Sequence, residues 1–343
     1  MNRRIWTVAA GLAALAAIIA VPSAYAAYTT AKLEVRPAAN GATVRATLSP
    51  DDDPTASVRI FAPTGTSLTT NQAPGTVLGP VRAIVKALDL GGADLPLTGQ
   101  LVVAAPGQIT PAAQAACLGA TAPLASWVMV LSAAGQTLPV PAYLVATAGA
   151  QTTLGPAYIQ VCLPPPDVPV GTPGRATFGA KLYSAELTIN GVFSSSAGVW
   201  VSFWTPYVPA VGQINAAGTI ASPAVVAPGT VTAAARRAGR GGRGATVTGR
   251  VMQGGQPRAR AIVTVFGGQR RARLSRVGRV RTNAAGRFTF RARSGVFFRV
   301  NVAAAAGAAP AACTALAPAI APVQCANPTS NGFAAQSRVV RKR

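Results

Sequence analysis

Beyond residue 27 the chain alternates apolar and polar positions with a period of two. Val44, Ala46 and Leu48 fall on one side and Arg45 and Thr47 on the other; Val58 and Ile60 flank Arg59; Val81, Ala83 and Val85 alternate with Arg82 and Lys86. Such runs predict half-buried strands. Turn signals at Asp51–Pro54, Pro63–Gly65 and Pro74–Gly75 separate them. Further strands are expected at Trp127–Leu131, Tyr143–Ala146 and Ala157–Cys162. Another runs through Tyr183, Ala185, Leu187 and Ile189 and closes on the hairpin turn Asn190-Gly191. Val199–Trp204 is apolar on both faces, as in a strand held between layers. One short helix is expected: Thr110 suits the N-cap, Pro111 the first helical position, Ala112–Leu118 the body and Gly119 the C-terminal stop. Short strands joined by turns predict an all-β fold of tandem β-sandwich modules, immunoglobulin-like or transthyretin-like, with that one helix.

Composition shifts divide the chain. Residues 27–162 read as a β-sandwich domain, and 163–174, with five prolines, as a stiff connector. Residues 175–230 read as a continuation of the first region or as a small second sandwich. Residues 231–244 set Arg236, Arg237, Arg240 and Arg243 among glycines and alanines, the pattern of a solvated linker. Residues 245–343 form a last module, aperiodic over 303–336, with a final strand at Ser337–Val340 and a basic tail.

At the N-terminus, Arg3 and Arg4 precede an apolar run from Ile5 to Val21, broken by Pro22 and followed by Ala24-Tyr25-Ala26. This predicts a signal peptide over 1–26, with the mature chain starting at Ala27 and secreted or associated with the cell envelope. Thereafter the most apolar stretch, Ala308–Val323, is interrupted by Pro310, Pro318 and Pro322. No stable membrane span is expected after cleavage.

The last module carries a family pattern. Gly249 and Val251 lead into a turn at Gly255 and Pro257; Ala261, Val263 and Val265 follow; then come Thr282, Gly286 and Phe288, and a closing strand led by Phe298. This order, over about 245–302, resembles the carboxypeptidase regulatory-like module, a transthyretin-like β-sandwich. Two positions depart from the pattern: Arg260 stands where glycine is usual and Asn283 where aspartate is usual. The resemblance implies a non-catalytic appendage, as such modules are on many secreted proteins.

The four cysteines lack the close spacing of zinc or redox motifs, and with His 0 no histidine completes a metal site. In an oxidising compartment the pairing that keeps each bond local is Cys117–Cys162 with Cys313–Cys325. The absence of histidine also removes Ser-His-Asp and Cys-His catalysis. Asp51-Asp52-Asp53 lacks the spacing of a calcium loop and reads as a turn before Pro54. Leu95-Pro96-Leu97-Thr98-Gly99 spells a sortase signal but lies far from the C-terminus, and reads as a turn entering a strand at Gln100–Val103. No cofactor is expected.

Charge changes the picture most. All eight acidic residues lie at or before Glu186, where eight basic residues after Ala27 balance them (8 − 8 = 0). Of 31 basic residues, the remaining 31 − 2 − 8 = 21 all follow Leu187, with no acid among them. A GC-rich genome explains arginine in place of lysine but not the loss of every Asp and Glu. The alternation sends Arg287, Arg291 and Arg299 outward, and Arg270, Arg271, Arg273, Arg276, Arg279 and Arg281 add a dense basic run. These residues are the candidate polyanion-binding set, each offering a fork suited to phosphate or carboxylate.

The sequence therefore predicts a non-enzymatic exported structural or interaction protein of the cell envelope or exterior. Its basic C-terminal module would bind an anionic envelope polymer or another extracellular polyanion. The alternatives are a secreted hydrolase using an unrecognised carboxylate pair, and an extracellular nucleic-acid binder. The latter needs aromatics interleaved with arginines on one exposed face, for which Phe266 and Phe297 are the candidates. Oligomeric state is left open by the sequence.

Overall fold

The computed structural model describes residues 28–38, 40–133, 135–238, 244–304, 307–331 and 333–343. The expected signal peptide and its cleavage point lie outside the described residues. Among the described residues the fold is all-β with two α-helices, and no helix there is long and apolar enough to cross a membrane.

The first unit is one continuous sheet. Its strands are β1 (Lys32–Ala38), β2 (Gly41–Thr47), β3 (Thr55–Phe61), β4 (Val77–Ala87), β5 (Ala93–Val103), β6 (Ala125–Ala133), β7 (Gln136–Ala146), β8 (Ala157–Cys162), β9 (Ala180–Asn190), β10 (Gly198–Pro206) and β11 (Ile220–Val226). They pair in the order β1-β2-β9-β4-β5-β6-β7-β8-β3-β10-β11. Each of these pairings is antiparallel, so β1 and β11 run the same way. The sheet curls until β1 lies beside β11, giving a closed barrel. Because β9 sits between β2 and β4, and β10 beside β3, residues 175–226 continue the first region instead of forming a second sandwich.

Period-two alternation sorts the side chains. Leu33, Val44, Val81, Leu101, Trp127, Leu144, Ile159 and Trp200 point inward and are buried. The outward positions of β1 and β2 include the charged Lys32, Glu34, Arg36 and Arg45. The two-faced strand expected at Val199–Trp204 is β10: Trp200 and Trp204 fill the barrel, while Val201 and Phe203 join a second cluster on its outer surface. Helix α1 (Pro111–Leu118) covers part of that surface. Its Thr110 hydroxyl accepts from Ala113 N (3.2 Å), as expected of the N-cap. The Cys117–Cys162 bond fastens it to β8.

The seam between β1 and β11 is closed by side chains. Leu33 N donates to Ser222 Oγ (3.3 Å), Asn327 Nδ2 donates to Ala31 O (2.9 Å), and Thr329 Oγ1 donates to Leu33 O.

Asn327 and Thr329 come from the C-terminal part of the chain, which corrects two expectations. The linker placed at 231–244 is mostly strand, since β12 (Gly229–Arg237) pairs along its whole length with β13 (Ala245–Gln253). Only 239–243 fall outside the described residues there. Second, the module placed at 245–343 is not contiguous in space. Residues 307–331 return to the barrel as β19 (Gly307–Ala308), α2 (Ala311–Ile320), β20 (Gln324–Cys325) and β21 (Thr329–Ser330), with β20 and β21 running parallel to β11.

Helix α2 stands where an aperiodic loop was expected. Its Leu316, Ala319 and Ile320 pack with Phe203 and Ala221 on the barrel's outside. Pro318 lies in the last turn and Ala321 N still reaches Ala317 O (3.2 Å), so the proline does not abolish the helix. The Cys313–Cys325 bond closes a loop with a sequence separation of 12. Replacing both cysteines with serine is expected to cost about 3 kcal/mol. Chemical denaturation reads this directly, and an unchanged midpoint would show that the bond restrains nothing.

The second unit is a sandwich of two sheets. One holds β12, β13, β14 (Gln256–Pro257) and β17 (Arg287–Ala292); the other holds β15 (Ile262–Arg270), β16 (Arg273–Arg281), β18 (Phe297–Ala304), β22 (Phe333–Gln336) and β23 (Val340–Arg341). Val247, Val251, Val263, Val265, Phe288, Phe298, Val300 and Val302 fill the space between them. Gly249 has no room for a side chain: a Cβ there would lie 2.0 Å from Thr232 O and 2.6 Å from Phe288 Cζ. Arg260 adopts φ 58°, a left-handed conformation that disfavours any residue with a Cβ. Arg260→Gly is accordingly expected to stabilise the protein by about 1 kcal/mol, read as a raised denaturation midpoint. A lowered midpoint would mean that the arginine side chain makes a compensating contact.

One smaller expectation changes, while the turn at Asp51–Pro54 forms as expected. Leu95–Gly99 lies inside β5, not in a turn. Pro96 is tolerated because β5 pairs with β4 there, while its pairing with β6 begins only at Thr98. The Asp51–Pro54 turn is held by Asp52, whose Oδ1 accepts from Thr29 N (2.9 Å) and Thr29 Oγ1 (2.8 Å) and whose Oδ2 accepts from Ser49 N (3.0 Å).

Candidate functional site

The site is built by the register of the second unit's larger sheet. Strand β15 opposes β16 through Ile262–Arg281, Thr264–Arg279 and Phe266–Arg276. On its other edge Thr264 faces Asn301 and Phe266 faces Arg299 of β18. Gln336 of β22 lies beside Asn301, and Arg341 of β23 beside Phe297. Opposed residues of an antiparallel pair project to the same side. Since Val263, Val265, Val300 and Val302 point into the core, one outer face collects Arg276, Arg279, Arg281, Arg299 and Arg341 with Phe266 and Phe297. A groove of about 490 Å³ crosses this face, lined by Ile262, Thr264, Arg279, Asn301, Val302, Ala335 and Gln336.

Arg299 is the fixed member of the set. Its guanidinium carbon sits 5.4 Å from the Phe266 ring centroid, within cation–π range. The Gln336 amide abuts it, and its oxygen must face these donors, accepting from Nε (2.9 Å) and Nη1 (3.2 Å). Arg276, Arg279 and Arg281 are exposed, and no ion pair among the described residues engages them. The described ion pairs are Lys32–Glu34, Arg36–Glu34 and Arg175–Asp89, all within the barrel unit. In the last of these, two hydrogen bonds from Arg175 hold the Asp89 carboxyl below the usual carboxylate range. The sandwich has no carboxylate side chain of its own to screen the face.

The nine arginines singled out in the sequence do not form one patch. Arg276, Arg279, Arg281 and Arg299 lie on the face just described. Arg270, Arg271 and Arg273 occupy the exposed tip of the β15–β16 hairpin. Arg287 and Arg291 are exposed on the outer face of the opposite sheet, with Arg250 and Arg236 on neighbouring strands. Alternation gives exposure but not which of two sheets a strand joins. Gln336 and Arg341 were missed because the final strand expected at Ser337–Val340 is in fact two short strands on either side of it, β22 and β23, neither long enough to show a period. Asn301 lies on β18, where alternation with Val300 and Val302 already turns it outward.

Compared with known proteins, the chain matches no family model and no curated protein.

Proposed function

We propose that this is a non-enzymatic, exported protein whose C-terminal sandwich binds an anionic polymer on the outer face of its five-stranded sheet. The observation carrying this reading is the convergence of five arginines on one face of a unit that contains no carboxylate side chain. Arg279 and Arg281 are two residues apart on β16, roughly 6.6 Å along a strand. That spacing suits successive charged groups of an extended polyanion. The two disulfides fit an oxidising, extracellular setting, and the resemblance to carboxypeptidase regulatory-like modules fits a non-catalytic role.

The nucleic-acid reading has one observation in its favour, since Phe266 and Phe297 share the face with the arginines. Against it, one face of the Phe266 ring is already covered by Arg299, leaving less of the ring for base stacking. Charge recognition is therefore the better account. It is tested by titrating the protein with linear polyphosphate and with single-stranded DNA over a range of salt. Both should bind with a steep salt dependence, and at equal charge DNA should gain nothing over polyphosphate. DNA binding at least tenfold tighter would favour the nucleic-acid reading, and no binding of either would sink both.

A further inference from the structure

The barrel holds a site of a different kind. A cavity of about 320 Å³ lies inside it, walled by inward side chains of β2 through β9, among them Val81, Ala83, Leu97, Met129, Ile159 and Leu187. Apart from the bridged Cys162, the polar side chains in the lining are those of Arg175 and Thr177. A water molecule needs two to four polar partners, so aliphatic walls of this kind favour an apolar occupant. The volume falls at the lower end of the range for small-molecule pockets. A cavity of about 150 Å³ accepts benzene, which scales here to roughly a dozen carbon atoms.

One end of the cavity lies under the segment that follows β8. Leu163, Pro164, Arg175, Ala176 and Thr177 contribute to the lining there. That segment is latched to the β4–β5 connection by Arg175, whose Nη1 and Nη2 donate to Asp89 Oδ2 (2.7 Å) and Oδ1 (2.6 Å) and whose Nε donates to Val168 O (2.7 Å). Around this end the surface is apolar: Leu90 is 55% exposed and Val170 81%, and Leu88 and Phe178 are also exposed. The turn Leu88–Leu90 packs against Thr177–Gly179, so these side chains form a rim beside the latch.

We infer that the barrel binds one uncharged molecule bearing a linear hydrocarbon chain of about a dozen carbons, of the long-chain alcohol class. The chain lies among the aliphatic walls and the head group rests under residues 163–179. The ligand is neutral because the one charged side chain in the lining is already matched. A carboxylate would have to displace Asp89 from Arg175, and an ammonium would face a guanidinium. The rim gives an apolar path between an aggregate of such molecules and the interior. This site is separate from the basic sheet face and stands or falls independently of it.

The test uses the full, disulfide-bonded protein and displacement of a neutral fluorescent naphthylamine by 1-dodecanol, dodecanoate or dodecyltrimethylammonium. Dodecanol should bind one to one, and the two ions at least about tenfold more weakly. Ala83→Phe combined with Ala185→Phe, neighbours on β4 and β9, should lose dodecanol binding while melting cooperatively. If that variant fails to fold, Met129→Trp on another wall serves the same purpose. Failure of dodecanol to bind would overturn the inference, as would equal binding of dodecanoate. So would binding that survives wall filling but is lost in Leu90→Ser/Phe178→Ser, which would mark adsorption to the rim.

Discussion

Replacing Trp200 with alanine is expected to remove about 3–5 kcal/mol from the stability of the barrel. The side chain is fully buried, meets Phe193 edge-on with ring centroids 5.2 Å apart, and donates from Nε1 to Ser196 O (2.9 Å). Its register partner on β11 is Ala224, too small to fill the space it would vacate. The surrounding wall is hydrogen-bonded on both sides, through β3 and β11, so it cannot collapse inward without breaking its ladders. Trp204→Phe makes an informative contrast. It keeps a buried aromatic ring but removes the Trp204 Nε1 donor to Ser202 Oγ (2.8 Å), while Ser202 Oγ still donates to Ser222 O (3.0 Å). That change should cost only about 1 kcal/mol. Guanidinium denaturation distinguishes the two, and equal losses would mean that Trp200 is not what fills its part of the barrel.

Much of the fold is legible in the sequence because period-two alternation survives wherever one sheet face is buried. Val81, Ala83 and Val85 all point inward as their spacing implies, and Thr110, Pro111 and Gly119 bracket α1 where capping chemistry places them. What alternation cannot carry is closure. Nothing local to Leu33 indicates that Ser222 and Thr329, far along the chain, complete its hydrogen bonds. The return of residues 307–331 to the barrel is hidden for the same reason, since α2 is fixed by packing on Phe203 and Ala221 and not by its own propensity.

The arginine-bearing face is legible in part. Its arginines stand out by number and by the want of acids around them. Their grouping depends on pairing: Arg279 meets Asn301 through Thr264, whereas Arg291 belongs to the opposite sheet. The cavity left no trace in the sequence, because Ala83 and Ala185 read as ordinary core positions until the register sets them side by side.

The proposed polyanion binding resides on one face of the sandwich, not in the total charge. Two quadruple variants of the full protein separate these ideas. Arg276, Arg279, Arg281 and Arg299 are replaced by serine in one, and Arg236, Arg250, Arg287 and Arg291 in the other. Each removes the same charge from exposed or half-exposed strand positions, from opposite sides of the sandwich. The quantity to measure is the slope of log affinity for polyphosphate against log salt concentration. Loss of four phosphate contacts should lower the magnitude of that slope by about three in the first variant. It should also weaken binding by several orders of magnitude at low salt, while the second variant stays close to the parent. Equal losses in the two variants would contradict the account, because the protein would then be responding to net charge alone.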